Sequence, residues 1–165
     1  MDIIVKISDG QIAAGSGRLV TFSLGSCVGL CLYDPARKIG GMGHFLLPRA
    51  PEDGTDTPYK YADSGTRALL ASLTRRGASP KTLVARIAGG AQMFRSLGKA
   101  RAIGLENVQT VLATLRDLHI PLLANDTGKN YARSLFFDLE TGKVHLRFFL
   151  AVEATGTFLE RYVEL

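Results

Sequence analysis

Cysteine is scarce in this chain: two in 165 residues, with no CxxC pair, and the three histidines never fall as HxxxH. That scarcity argues against a disulfide-stapled secreted domain, and against a zinc site built from ligands at short, recurring spacings. Cys27 and Cys31 cannot bridge each other, because an extended chain sets them roughly 13 Å apart. Long apolar runs are missing as well. None approaches the ~18 residues of a membrane-spanning helix, and Met1-Asp2-Ile3-Ile4-Val5-Lys6 lacks the basic region and cleavage site of a signal peptide. A cytoplasmic protein with no direct membrane insertion is expected. Charge of one sign never concentrates either. Lysine and arginine outnumber aspartate and glutamate by 20 to 15, a net charge of +5, yet no basic run exceeds two residues, as at Arg75-Arg76. Without a stripe of cations interleaved with aromatics, nucleic acid is not the expected partner, while an acidic protein surface stays open. Gly15-Ser16-Gly17, Gly89-Gly90 and Gly128-Lys129 lack the complete phosphate-loop patterns and read as loop geometry. No pair of carboxylates recurs at a spacing that suggests glycosidase chemistry or a metal cage.

What remains is a chain of ordinary globular composition, 46% hydrophobic and 21% charged, long enough to bury roughly two-thirds of its unfolded surface in one domain. Short strands are expected over 3–7 and 18–23, separated by a Gly/Ala/Ser-rich loop. Val28, Leu30 and Leu32 alternate with Gly29, Cys31 and Tyr33, the period of a strand. Asp34-Pro35-Ala36-Arg37 is a turn, and 39–47 returns as a strand that sets Met42, His44 and Leu46 on one face. The proline-rich stretch 48–58 is a surface loop suited to wall a cleft. A helix is expected over 61–76, stopped by Gly77, then a strand over 82–88 and a short helical or irregular piece over 92–98. Leu105, Val108, Val111, Leu112, Leu115 and Leu118 form the stripe of a second helix over 105–118. Strands over 120–124, 134–139 and 143–150 follow, the last two joined as a hairpin by Glu140-Thr141-Gly142; the tail from Ala151 gives no clear signal. Consecutive strands with few helices favour an α+β fold with its helices packed on one side.

The chemistry gathers at Leu24-Gly25-Ser26-Cys27-Val28 and, seventeen residues beyond the cysteine, at Gly41-Met42-Gly43-His44-Phe45. A thiol in a tight turn, with a histidine on the following strand, is the pairing that nucleophilic cysteine chemistry needs. Gly25 and Ser26 let backbone approach a ligand, and N–H groups at the turn can face an oxyanion. The plainer reading is a core cysteine and a core histidine satisfied by a backbone carbonyl. His119 and His145 are rival partners; the glycines beside His44 favour it by leaving space above its ring. Cys31, inside an alternating strand, reads as a small buried hydrophobe.

These segments, with Cys31-Leu32-Tyr33-Asp34, Phe45-Leu46-Leu47-Pro48, Lys60-Tyr61-Ala62-Asp63, Ile87-Ala88-Gly89-Gly90-Ala91-Gln92-Met93-Phe94, Ile103-Gly104, Asn107-Val108 and Asn125-Asp126-Thr127-Gly128, stand in an order that resembles the CheD family, the chemoreceptor glutamine deamidases of chemotaxis. The resemblance runs from Thr21 to about Lys143. It implies a single domain over 1–165 with a three-layer α/β/β sandwich similar to the catalytic domain of the cytotoxic necrotizing factor toxins. It implies Cys27 as nucleophile, His44 as general base and Thr21 as the residue that holds the histidine, through hydroxyl or carbonyl, with Gly25 and Ser26 supporting the turn. It implies no metal or organic cofactor, the cytoplasmic helices of chemoreceptors as substrate, and a CheC-type phosphatase as partner. A non-catalytic module that regulates such a phosphatase is the alternative. Phe22-Ser23 and Lys129 depart from the family pattern, which favours Leu-Gly and a second glycine at those places; a left-handed backbone at Lys129 would be strained.

Overall fold

All seven residues of the strand Val28–Asp34 are buried, as expected of a strand covered on both faces. In the computed structural model, which describes residues 1–93 and 102–165, it is the fourth strand of the chain. The elements in order are β1 (Asp2–Ile4), β2 (Asp9–Ala14), β3 (Arg18–Leu24), β4 (Val28–Asp34), β5 (Ile39–Phe45), α1 (Ala62–Arg76), β6 (Val84–Gly89), α2 (Ile103–Asp117), β7 (Leu122–Thr127), β8 (Arg133–Asp138), β9 (Val144–Val152) and β10 (Thr157–Glu164). One sheet runs β2-β5-β4-β6-β7, the other β1-β3-β8-β9-β10.

Alternation along β4 divides the core into two layers. Val28, Leu30 and Leu32, joined by Phe45, face the helices and meet Leu69 and Leu73 of α1 and Val108, Val111 and Leu115 of α2. Cys27, Cys31 and Tyr33, joined by Met42, face the second sheet and meet Leu19, Leu135, Phe137 and Leu146. The order is therefore helices, sheet, sheet, a mixed α/β domain with its described helices together on one side, as the element pattern suggested. The β4–β5 hairpin is closed by Asp34, whose Oδ1 accepts from the N–H groups of Ala36 and Arg37 and whose Oδ2 accepts from Ser79 N–H.

Several expectations need correction. The loop proposed between the first two strands contains β2, an edge strand paired antiparallel with β5 from Asp9↔His44 to Ala14↔Ile39. The unread tail is β10, paired with β9 along its whole length and exposed throughout. The strand placed at 120–124 begins two residues later and reaches Thr127. Leu105 is more than half exposed and lies off the buried stripe of α2, which instead carries Gly104, Asn107, Thr110 and Thr114 beside its apolar residues. Of the piece expected at 92–98, Gln92 and Met93 are irregular, and the remainder, like Phe94 of the sixth motif, lies outside the described residues.

Candidate active site

β4 and β5 are in register through Val28↔Phe45 and Gly29↔His44. Residues paired across strands share a face, as do alternate residues along a strand. Cys27, two before Gly29, therefore lies on His44's side as its diagonal neighbour, a relationship that spans about 7–8 Å between Cα atoms. That side is the inter-sheet layer, where Cys27 packs.

Thr21, on β3 of the other sheet, reaches across this layer. Its Oγ1 lies 2.8 Å from His44 Nδ1 and 2.7 Å from the Val5 carbonyl oxygen. A carbonyl only accepts, so the single hydroxyl hydrogen goes to Val5, and Oγ1 accepts from His44 Nδ1–H. The ring then carries its lone pair on Nε2, which is buried and has no hydrogen-bond partner among the described residues. The contact to His44 is made by the Thr21 hydroxyl. A recess of about 410 Å³ over this pair is lined by Ile4, Val5, Lys6, Ile7, Thr21, Phe22 and His44.

The cysteine turn is anchored through its carbonyls. Gly25 O accepts from Ala91 N–H and Cys27 O from Gly90 N–H, both at 2.8 Å, and Ser26 O accepts from Asn107 Nδ2 at 2.9 Å. A trans peptide sets its N–H opposite its C=O, so fixing the carbonyls of Gly25 and Ser26 turns the N–H groups of Ser26 and Cys27 away from the framework. Gly89 and Gly90 have φ of 105° and 63°. A Cβ on Gly89 would strike the Cys27 carbonyl, and one on Gly90 would strike Val108 and Gly104. These glycines thus serve the approach of two backbones, in keeping with their reading as loop geometry.

Electrostatically the pair rests neutral. Burial pushes the Cys27 thiol up, against a smaller opposing pull from its own backbone N–H. Burial also pushes His44 down to about 4, the Asp9 carboxylate opposing weakly. Both groups are thus uncharged at neutral pH, with an accepting nitrogen and a thiol proton on one face. Cys31 is fully buried with its thiol pushed strongly up by desolvation, consistent with a core hydrophobe.

Of the sequence-derived candidates, Cys27, His44, Thr21, Gly25 and Ser26 come together, and the rival histidines do not. His145 pairs with Phe136, whose neighbours Leu135 and Phe137 point inward, so it occupies the outer face of its sheet. His119 lies just after α2, toward the end of β6 marked by Ala85↔Leu122, whereas Gly89 at the other end touches the cysteine turn. The glycines flanking His44 do not open space above its ring. They point to the opposite face, where Gly43 and Gly65 make room for the Phe45 ring and Gly41 for Ile12 and Leu69.

Two buried polar residues received no role from the sequence, although Asn107 stood in one of its motifs. Asn107 is fully buried on α2, and Arg133 is fully buried on β8. Arg133 donates from Nε to Asp126 Oδ1 at 2.8 Å and from Nη2 to Gly128 O at 2.9 Å, fixing the loop beside Gly89. A polar residue beside the apolar stripe Val108–Val111 was the available signal for Asn107; for Arg133 there was none.

Comparison with known proteins identifies the family. A family model described as CheD, chemotactic sensory transduction, matches residues 46–148. The "Probable chemoreceptor glutamine deamidase CheD" of Moorella thermoacetica is 44% identical over 150 residues, spanning 88% of this chain and 90% of that protein. The "Chemoreceptor glutamine deamidase CheD" of Thermotoga maritima is 44% identical over 147 residues, spanning 89% and 92%. The corresponding protein of Pyrococcus abyssi, described as probable, is 44% identical over 148 residues. With similarity of this depth along most of its length, and the ordered motifs already read from its sequence, the chain belongs to the CheD family.

Proposed function

We propose that this protein is a hydrolase that deamidates glutamine side chains of chemoreceptors, with Cys27 as nucleophile and His44 as general base. The names of its relatives support the reaction. The observation that carries the residue roles is the Thr21 hydroxyl, which gives its hydrogen to Val5 and so leaves His44 Nε2 as an acceptor, unpartnered among the described residues, on the face shared with Cys27.

His44 Nε2 takes the Sγ proton as the thiolate attacks the carboxamide carbon, and the C=O π electrons move to oxygen. The N–H groups of Ser26 and Cys27 face the resulting oxyanion. When the tetrahedral intermediate collapses, the C–N bond breaks and the imidazolium returns its proton to nitrogen, releasing ammonia and leaving a thioester. Water, deprotonated by the same imidazole, adds to the thioester; the C–S bond breaks, glutamate forms and the thiol is restored. No step calls for a metal or an organic cofactor. The low basicity of the buried imidazole disfavours a resting thiolate, so proton transfer accompanies attack.

In this reading residues 1–165 act as one deamidase domain in the cytoplasm, adjusting receptor charge during chemotactic adaptation, with a CheC-type phosphatase as partner. The order of layers, helices then two sheets, supports a fold shared with the cytotoxic necrotizing factor toxins. Among the described residues no helix is long and apolar enough to cross a membrane. The near-complete burial of Cys27 favours a second reading, a module that binds the phosphatase without turnover. Mass spectrometry of a receptor cytoplasmic fragment treated with wild type or with Cys27→Ala separates the two. Deamidation adds about 1 Da per glutamine as amide becomes acid, and the gain is expected with wild type alone. No gain across several receptors would leave the binding module.

A further inference from the structure

The β4–β5 ladder stops at Val28↔Phe45, one residue short of Cys27 on one strand and of Leu46 on the other. Asn107 spans the gap. Its Nδ2 donates to Ser26 O at 2.9 Å and to Leu46 O at 3.1 Å, so one amide hydrogen goes to the carbonyl that precedes Cys27 and the other to the carbonyl two residues beyond His44. Both neighbours are acceptors, which fixes the orientation of the amide. Its Oδ1 is buried with no partner among the described residues, so the side chain is held through its donors. The helix that carries it is seated on the same backbone: a Cβ on Gly104 would strike the carbonyls of Gly90 and Ala91, and Gly90 N–H donates to Cys27 O.

We propose that Asn107 is a positioning residue that extends the strand ladder past its end and sets Cys27 Sγ against the His44 ring. The inference rests on the cysteine–histidine chemistry proposed above. Only a side chain with two hydrogens on one nitrogen makes this fork here; an aspartate offers at most one hydrogen and a leucine none.

The test measures steady-state deamidation of a receptor cytoplasmic fragment by the full chain. Asn107→Leu is expected to lower kcat about 100-fold, the scale of a 1 Å misplacement, with KM changed less than about threefold. Asn107→Asp falls between. Val111→Ala, which opens the same helix's core contact without touching the turn, supplies the control for lost stability. Alkylation of Cys27 by iodoacetamide at pH 7 gives a readout independent of receptor: Asn107→Leu is expected to slow it about tenfold, toward the rate of His44→Ala, while Val111→Ala does not. A folded Asn107→Leu with kcat and alkylation matching Val111→Ala overturns the proposal, as does a loss confined to KM. If Asn107→Leu does not fold, Asn107→Asp decides by the same criteria. If neither folds, the Asn107 side-chain amide resonances of wild type decide; they are expected to shift when Cys27 is alkylated, and unmoved resonances overturn the role. Turnover by Cys27→Ala is a separate failure, which removes the nucleophile assignment and the positioning role with it.

Discussion

The Thr21 hydroxyl and the His44 imidazole belong to different sheets, yet their polar atoms meet at 2.8 Å with Thr21 already committed as a donor to Val5. One hydroxyl thereby fixes the tautomer and the direction of the ring, a task that in many hydrolases falls to a carboxylate. The neutral partner matters electrostatically. A carboxylate would raise the basicity of His44, whereas a hydroxyl leaves desolvation in control.

Thr21→Val keeps the shape of the side chain but leaves His44 Nδ1–H without its acceptor. With the tautomer lock gone, kcat is expected to fall about 10- to 100-fold, short of the roughly 100- to 10,000-fold that a general base supplies. Thr21→Ser, which retains the oxygen, is expected to recover most of it. Deamidation of a receptor fragment followed by mass spectrometry checks both; equal activity of valine and wild type would sink the assignment.

A histidine held at about 4 is neutral, and competent to accept a proton, through the whole range above it. The acid limb of kcat/KM is therefore expected near pH 4 instead of the ordinary 6.5 of imidazole. The same depression links folding to pH. Between about 6.5 and 4 the unfolded chain binds a proton at this site that the native protein refuses, so this contribution is complete above 6.5 and is lost as pH falls toward 4. It amounts to about 3 kcal/mol. Urea melts from pH 7 to 4 are expected to show a decline that His44→Gln flattens; parallel curves for the two proteins would refute the depressed value.

The hairpin that carries Cys27 and His44 was legible because local and global signals agree there. Val28–Tyr33 alternates, Asp34-Pro35 turns the chain, and the return strand presents Met42, His44 and Leu46 together. β2 was not legible, since Asp9-Gly10-Gln11-Ile12-Ala13-Ala14 contains one β-branched residue and takes its conformation from pairing with β5. β10 was hidden for the opposite reason: neither face is covered, so burial imposed no alternation on it. Asn107 and Arg133 depend on carbonyls distant in sequence, and no local pattern records where a carbonyl will point.

The departures from the family pattern do sit where the backbone resists them. Ser23 and Lys129 have φ of 55° and 63°, a region that costs a side-chain-bearing residue roughly 1–2 kcal/mol. Part of that relief is cancelled by glycine's freedom in the unfolded chain. Lys129→Gly is expected to stabilise the protein by about 1 kcal/mol, raising Tm by roughly 2–4 °C for a chain of this size. Calorimetry at pH 7 checks it, and an unchanged or lower Tm would show that the lysine makes contacts worth more than the strain.

Net charge gives the last prediction its direction. The chain carries +5, and Lys6 stands on the wall of the recess over Thr21 and His44, among Ile4, Ile7 and Phe22. If receptor segments rich in carboxylates approach by this wall, as the proposed function expects, a cation there attracts them during encounter. That attraction is screened by salt once charges lie farther apart than about 10 Å at 0.1 M. Between 0.05 and 0.5 M salt, kcat/KM is expected to fall roughly threefold or more, mainly through KM. Lys6→Glu should lower kcat/KM at low salt and flatten the dependence, because the local field then opposes the approach it now favours. A wild-type profile independent of salt would mean that the positive charge serves solubility and not encounter. A steep profile left intact by Lys6→Glu would place the steering charges elsewhere on the surface.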